Sequence, residues 1–316
     1  MTETAPDFAA ITAAQARIRD LVHRTPVISS GLLNEVTGAD VHFKCENLQK
    51  VGAFKARGAS NAVFGLTEAQ AAGGVATHSS GNHGAALAQA ARERGIAAHI
   101  VMPANAPAVK KAAVAAYGGL IIECEPTLAA REQTLERVVA ATGAHVVHPY
   151  ADPRVIAGQG TLALEVLEQV PDLDVLVVPV GGGGLLSGVA LAVKHLRPDV
   201  EVVAAEPEGA DDAFRSFGLG ALQPSVAPRT IADGLLAGLG AINFGIIQRH
   251  VDTILTVSDA EIVQAMRLQW SRLKTVVEPS GAVSFAALLA HPERFRGRRV
   301  VAVISGGNLD LDNLPW

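Results

Sequence analysis

Val175-Leu176-Val177-Val178-Pro179-Val180-Gly181-Gly182-Gly183-Gly184-Leu185-Leu186-Ser187-Gly188 reads as a buried strand, a glycine turn and the opening of a buried helix. Through Val193 the region has no charged residue and approaches membrane-spanning length, but Pro179 and the consecutive glycines interrupt it. Glycines lack a Cβ, so successive N–H groups can converge on one anion, and a helix N-terminus adds a favourable dipole. Gly181, Gly182, Gly183 and Gly184 therefore form a candidate phosphate cradle; a tight turn that uses glycine only for its dihedrals is the alternative. The dinucleotide pattern G-x-G-x-x-G fails because Leu186 stands at its last glycine, and no G-K-[ST] follows to make a P-loop.

The same grammar repeats along the chain. Apolar, β-branched runs at Val41–Cys45, Val75–His78, His99–Met102, Leu120–Glu123, Val175–Pro179, Val200–Ala205 and Arg299–Ile304 read as strands. Helical patterns fall between or after them at Ala85–Arg94, Ala106–Tyr117, Leu128–Thr142, Ile156–Val170, Leu185–Leu196, Asp259–Lys274 and Ala282–Ala290. Alternation of this kind predicts an α/β fold of mainly parallel sheets flanked by helices, with ligands at the carboxyl ends of strands. Gly73-Gly74 and the turn Tyr150–Pro153 bracket a smaller inserted unit, giving a large domain of 1–72 and 151–316 and a small one of 73–150. Arg215–Thr230, with two prolines and little periodicity, reads as a long ordered loop.

At 316 residues with 49% apolar content, the chain can bury a large core. Its net charge of −5 is dispersed and no basic run occurs, which argues against nucleic acid and anionic membrane as partners. Cys45 and Cys124 offer neither a disulfide framework nor metal-ligand spacing and read as buried free thiols. Met1–Asp7 lacks a basic region followed by an apolar core, so no signal peptide is expected. A reducing, cytoplasmic location is the expectation.

Four further segments carry chemistry. In Gly52-Ala53-Phe54-Lys55-Ala56-Arg57-Gly58-Ala59 a lysine follows an aromatic ring and sits among small residues. A partly desolvated amine shifts toward its neutral form and can attack an aldehyde. Ser79-Ser80-Gly81-Asn82-His83-Gly84 follows a strand and precedes a helix, concentrating donors suited to a carboxylate or a ring oxygen; helix capping is the plainer alternative. Ser305-Gly306-Gly307-Asn308 places one hydroxyl at the end of the last strand, an ordinary turn or a partner for a ring nitrogen. Glu206-Pro207-Glu208-Gly209-Ala210-Asp211-Asp212 gathers oxygens after another strand, either as a hard-cation site or as a solvated acidic loop.

Together, and in order from Ile18 to Leu311, these segments resemble the fold-type II pyridoxal-phosphate enzymes of the tryptophan synthase β-like kind. Within them the chain is similar to the serine racemase and serine/threonine dehydratase family, with Ile156-Ala157-Gly158-Gln159-Gly160-Thr161 and Glu278-Pro279-Ser280-Gly281 also matching. The resemblance implies that Lys55 links covalently to pyridoxal 5′-phosphate and later moves the substrate α-proton. It implies that Phe54 packs on the cofactor ring, Asn82 meets its phenolic oxygen, Gly181 to Gly184 hold its phosphate and Ser305 meets its nitrogen. Ser79, Asn82 and His83 would clamp the substrate carboxylate, and Ser80 would meet the substrate on the face opposite Lys55 as a second acid or base. Glu206, the Ala210 carbonyl and Asp212 match the family's divalent-cation site, for Mg²⁺ or alternatively Ca²⁺ or Mn²⁺. A homodimer and a mobile small domain are family expectations as well.

Arg131 bears on the substrate. It stands near the start of a predicted helix, where a cation opposes the dipole, and a guanidinium gripping a second carboxylate would account for that placement. The alternative is a surface arginine paired with Glu132 or Glu136. The position is similar to an arginine that contacts dicarboxylates in serine racemases. His148-Pro149-Tyr150-Ala151-Asp152-Pro153-Arg154, Asp211–Phe217 and Leu311–Trp316 resemble the β-hydroxyaspartate dehydratase branch. The expected activity is thus β-elimination from a 3-hydroxy amino acid, first 3-hydroxyaspartate, giving iminosuccinate and then oxaloacetate and ammonia. Serine or threonine dehydration and serine racemisation are the alternatives. A β-replacement synthase of the same fold and a non-catalytic phosphate-binding protein fit the residues less well. With nothing after Trp316, feedback control through an appended regulatory domain is not expected.

Overall fold

A computed structural model describes residues 4–316. Its strands are β1 (Val27–Ser29), β2 (Asp40–Cys45), β3 (Val75–His78), β4 (Ala98–Pro103), β5 (Leu120–Cys124), β6 (His145–Val146), β7 (Val175–Pro179), β8 (Glu201–Pro207), β9 (Thr253–Val257) and β10 (Arg299–Ile304). They form a six-stranded sheet in the order β1-β2-β10-β7-β8-β9 and a four-stranded sheet in the order β5-β4-β3-β6. Only β1 runs antiparallel to its neighbour; every other pairing is parallel. The mainly parallel α/β architecture expected from the alternation is therefore present.

Burial explains the composition of the strands. All five residues of Val175–Pro179 are buried, because helices cover both faces of the sheet. One core cluster joins Leu176, Val178 and Val180 to the helices Pro153–Gln169 and Gly184–Leu196; another joins Val175 and Val177 to the helix Pro279–Ala290. Among the described residues, no helix is long and apolar enough to cross a membrane.

Parallel strands place their carboxyl ends on one edge. Ser79 follows β3 at such an edge of the four-stranded sheet, and Gly181 after β7, Glu208 after β8 and Ser305 after β10 share that edge of the six-stranded sheet, so four of the five segments singled out for chemistry stand at carboxyl ends of strands.

Several elements differ from expectation. The helix Lys55–Phe64 gave no clear signal because it is buried on nearly all sides and includes Arg57, Ser60 and Asn61, which obscure an amphipathic period. Its polar residues are answered inside the protein. Arg57 grips Glu46 through Nε and Nη2 and Glu165 through Nη1 and Nη2, at 2.7–2.9 Å. Lys44 adds a bond to Glu165 and balances the charge of the cluster. A buried ion pair is tolerated when such geometry satisfies both partners, and here it ties the lysine-bearing helix to β2 and to the helix Pro153–Gln169.

The expected loop at Arg215–Thr230 is corrected at its start. Arg215–Leu219 belongs to the helix Asp212–Leu219, which buries Ala213 and Ser216 and ends at Gly220 with φ +65°. The helix expected over Asp259–Lys274 stops at Leu268 and passes into a π-turn, Gln269–Leu273, before Lys274 at φ +57°. Cys45 is buried as expected, whereas Cys124, at the end of edge strand β5, is only half-buried; both thiols are free.

Candidate active site

Lys55 is the first residue of the helix Lys55–Phe64. Its Nζ donates to the Pro149 carbonyl at 2.8 Å and lies 5.1 Å from the centre of the Phe54 ring. Burial lowers the amine to about 8, which leaves a useful neutral fraction near physiological pH. The Phe54 N–H donates to the Ser305 carbonyl at 3.0 Å, which brings the end of β10 beside the lysine. The Ser305 hydroxyl is buried and donates to the Ser280 carbonyl at 3.3 Å. It is neutral, and its remaining capacity is that of an acceptor or a rotated donor.

The glycine run makes a backbone-lined hollow between β7 and the helix Gly184–Leu196. Gly183 has φ +89°, a conformation L side chains rarely adopt. At Gly184 an added Cβ would lie 2.9 Å from the Tyr150 backbone, so any side chain would fill the hollow. Tyr150 belongs to the strap His148–Ala151, whose Pro149 carbonyl receives Lys55, so lysine and glycines face one space.

Asn82 is the first residue of the helix Asn82–Arg94, which starts three positions before the expected Ala85. The first-turn N–H groups of a helix lack intrahelical acceptors and suit a carboxylate. The Asn82 amide donates to Glu278 at 2.9 Å and accepts from Asn308 Nδ2 at 3.0 Å, so it is held beside Gly306 and the end of β10. Burial pushes the Glu278 carboxyl up to about 8. Ser79 and Ser80 occupy the bend between β3 and this helix, where the Ser79 hydroxyl accepts from the Gly81 N–H at 3.4 Å.

His83, expected at the substrate carboxylate, has its ring turned into the protein. Its ring is buried, Nε2 pairs with the Val147 carbonyl at 3.2 Å and Nδ1 is sealed without a partner. Burial drives it down to about 3, so it stays neutral and its backbone N–H is what it can offer a carboxylate.

Arg131 lies in the first turns of the helix Leu128–Thr142, near His78 at the end of β3, whose imidazole is held low first by burial and further by this guanidinium, against the pull of Glu132. His78 in turn meets His148 edge-on at 6.5 Å, and His148 meets Tyr150 at 4.6 Å. The Arg131 Nε is sealed and unpaired, and among the described residues neither Glu132 nor Glu136 forms an ion pair with it.

Glu206 ends β8 and is buried. Its oxygens accept from the Ala213 and Phe214 N–H groups at 3.0 and 2.7 Å, while Asp212 accepts from Leu239 N–H at 2.7 Å. Burial raises Glu206 to about 8 and raises Asp212 as well. Buried carboxylates with no lysine or arginine bonded to them form a donor set that suits a hard divalent cation. Among the described residues no three acidic, histidine or cysteine side chains gather as a metal cluster, so carbonyls such as that of Ala210 and water would complete the coordination.

The placing of His78, His148, Tyr150 and Glu278 beside these segments escaped the sequence. His148-Pro149-Tyr150 and Glu278-Pro279 were visible as family-like words, but their use depends on contacts across the cleft.

The chain matches the family described as pyridoxal-phosphate dependent enzyme over residues 18–306. It is 55% identical over 311 residues to the β-hydroxyaspartate dehydratase of Paracoccus denitrificans, covering 98% of this chain and 99% of that protein. It is 48% identical to a serine racemase of Arabidopsis thaliana over 98% of this chain and 95% of that one. Among solved structures, maize serine racemase superposes with a TM-score of 0.95 at 47% identity, covering 98% and 95% of the two chains.

Proposed function

The chain belongs to the pyridoxal-phosphate dependent enzymes, and from that membership we propose that it removes the β-hydroxyl and then the amine of 3-hydroxyaspartate. The products are oxaloacetate and ammonia. The observation that carries the substrate is Arg131, a guanidinium beside His78 that among the described residues has no protein carboxylate paired with it. A dicarboxylate would supply the missing partner.

The residues present fit the cofactor. Gly181–Gly184 and the start of the helix Gly184–Leu196 offer N–H groups to its phosphate, Ser305 offers a neutral hydroxyl to its ring nitrogen, and Asn82 an amide to its phenolic oxygen. Pyridoxal phosphate, when bound, supplies a conjugated electron-withdrawing ring that eases loss of an α-proton and a β-substituent. Lys55 holds the aldehyde and then, as a neutral amine, takes the α-proton. The turn Ser79–Asn82 orients the α-carboxylate, and Arg131 orients the β-carboxylate. Elimination of water leaves an enamine that tautomerises to iminosuccinate, and hydrolysis returns the water and liberates ammonia. Segment 73–150, as a small domain, would close on the substrate. A serine racemase or serine/threonine dehydratase reading is kept by Ser80, which sits on the β3 turn at the cleft.

Product analysis over the isomers of 3-hydroxyaspartate, serine and threonine tests the assignment. Oxaloacetate and ammonia in equal amounts from one 3-hydroxyaspartate pair, at a kcat/KM above that for serine, are expected. Faster turnover of serine would remove the dicarboxylate assignment.

We further infer that Glu206, Asp212 and the Ala210 carbonyl hold a divalent cation. A carboxyl raised to about 8 binds more protons folded than unfolded between about pH 4.5 and 8, so metal-free stability falls as pH rises through that window. A cation replaces the proton. The thermal midpoint gained on adding Mg²⁺ or Ca²⁺ is therefore expected to grow from pH 5 to pH 8, by up to about 2.7 kcal/mol of stability at a hundredfold excess over Kd. Glu206→Gln should abolish the gain. A midpoint indifferent to either cation at pH 8 would sink this assignment.

A further inference from the structure

We propose that Asn243 is a positioning residue that fixes the direction of the anion-binding N–H at Gly183, and this rests on reading Gly181–Gly184 as the phosphate cradle. Asn243 lies in the helix Ala241–His250 and is fully buried behind the glycine run. Its Nδ2 donates to the Gly182 carbonyl at 2.6 Å, and the Gly240 N–H donates to the same oxygen at 3.2 Å. A trans peptide is planar, so its C=O and the following N–H point in opposite directions. Two donors that hold the Gly182 oxygen toward the helix therefore turn the Gly183 N–H away from it, into the hollow.

The packing supports a dedicated arrangement. A Cβ at Gly183 would meet Asn243 Cβ at 2.8 Å, and one at Gly240 would meet Asn243 Nδ2 at 2.9 Å, so glycine on both sides leaves room for this amide. The orientation of the amide is determined, because reversing it would set Oδ1 against two carbonyl oxygens. With Nδ2 so used, Oδ1 is sealed without a donor. A space-filling side chain would carry no such unpaired acceptor, and buried polar groups left unsatisfied are uncommon where only packing is at stake.

The second bond of the same amide extends its reach. Nδ2 also donates to the Tyr150 carbonyl at 3.0 Å, one residue after the Pro149 carbonyl that accepts from Lys55. One side chain thus couples the cradle to the strap that contacts the reactive amine.

The test compares pyridoxal 5′-phosphate with pyridoxal, which differs only by lacking the phosphate. Full-length protein stripped of cofactor is titrated with each aldehyde, reading absorbance and thermal midpoint. The wild type should favour the phosphorylated aldehyde; if it shows no preference, the cradle assignment itself fails before any variant is consulted. In Asn243→Leu, which keeps the branched shape and removes both polar atoms, that preference should fall by about 10–100-fold, while the Kd for pyridoxal stays within about twofold. Asn243→Ser, which cannot span to both carbonyls, should show the same selective loss and serves if the leucine variant does not fold. Equal weakening of both aldehydes would mark Asn243 as packing alone, and an unchanged preference would also overturn the proposal.

Discussion

Lys55→Ala is expected to lower turnover by about 10³-fold or more and to remove the yellow absorbance near about 410 nm that a lysine-bound pyridoxal group gives. Alanine leaves the helix and the buried Arg57 cluster intact, so the thermal midpoint of the cofactor-free protein should change little or rise. Removing a desolvated amine relieves a burial penalty and leaves only the Pro149 carbonyl short of a donor. The pH dependence separates this amine from an ordinary one. With its folded value near 8, below the usual 10.5, adduct formation with pyridoxal should climb about tenfold per pH unit below 8 and level off above it. The linkage sign follows. Between about pH 8 and 10.5 the unfolded chain binds more protons than the folded one, so this group adds stability as pH rises through that window. An adduct rate still climbing at pH 10 would show a solvated lysine and contradict the desolvated setting.

Strand-to-turn-to-helix words were the legible part of this chain. Val175–Gly188 declares a parallel α/β unit because a fully buried strand must be all apolar and a backbone-lined anion site must lack Cβ atoms. Lys55 could be singled out because an amine between Phe54 and Ala56 departs from the usual solvated setting. What stayed hidden depends on backbone groups and distant partners. Pro149 meets Lys55 through a carbonyl, which every residue type possesses, so nothing in the letter P at that position advertises it. Asn243 acts on Gly182 across 61 positions, from a helix whose pattern is otherwise ordinary. His83 shows a different limit. The letters Ser-Gly-Asn-His mark a candidate carboxylate site without telling ring from backbone, and the ring takes the Val147 carbonyl as its partner. Edge strands β1 and β6, of three and two residues, are too short to establish a period of two.

Arg131→Ala is expected to cut kcat/KM for 3-hydroxyaspartate by about 10²–10³-fold while changing that for serine by less than about threefold. The expectation follows from what the arginine lacks. Thr127 caps the helix Leu128–Thr142 by accepting from Ala130 at 3.1 Å, which places Arg131 in the positive end of the dipole. A surface arginine would offset that position with Glu132 or Glu136, yet no such pair forms and Nε is sealed. The guanidinium is thus held in an unfavourable place with its fork unused, and a second substrate carboxylate is the ligand that satisfies it bidentately. Serine has no such group, so its turnover should not register the loss. Arg131→Lys keeps the charge but not the fork, and an intermediate loss of about tenfold on 3-hydroxyaspartate is expected. Stability gives an independent check. Removing an uncompensated cation from a helix N-terminus should leave the thermal midpoint of the substrate-free enzyme unchanged or higher, whereas a structural ion pair would lower it. Parallel losses on both substrates, with a lowered midpoint, would return Arg131 to the scaffold and leave the side-chain selectivity to His78, His148 and Tyr150.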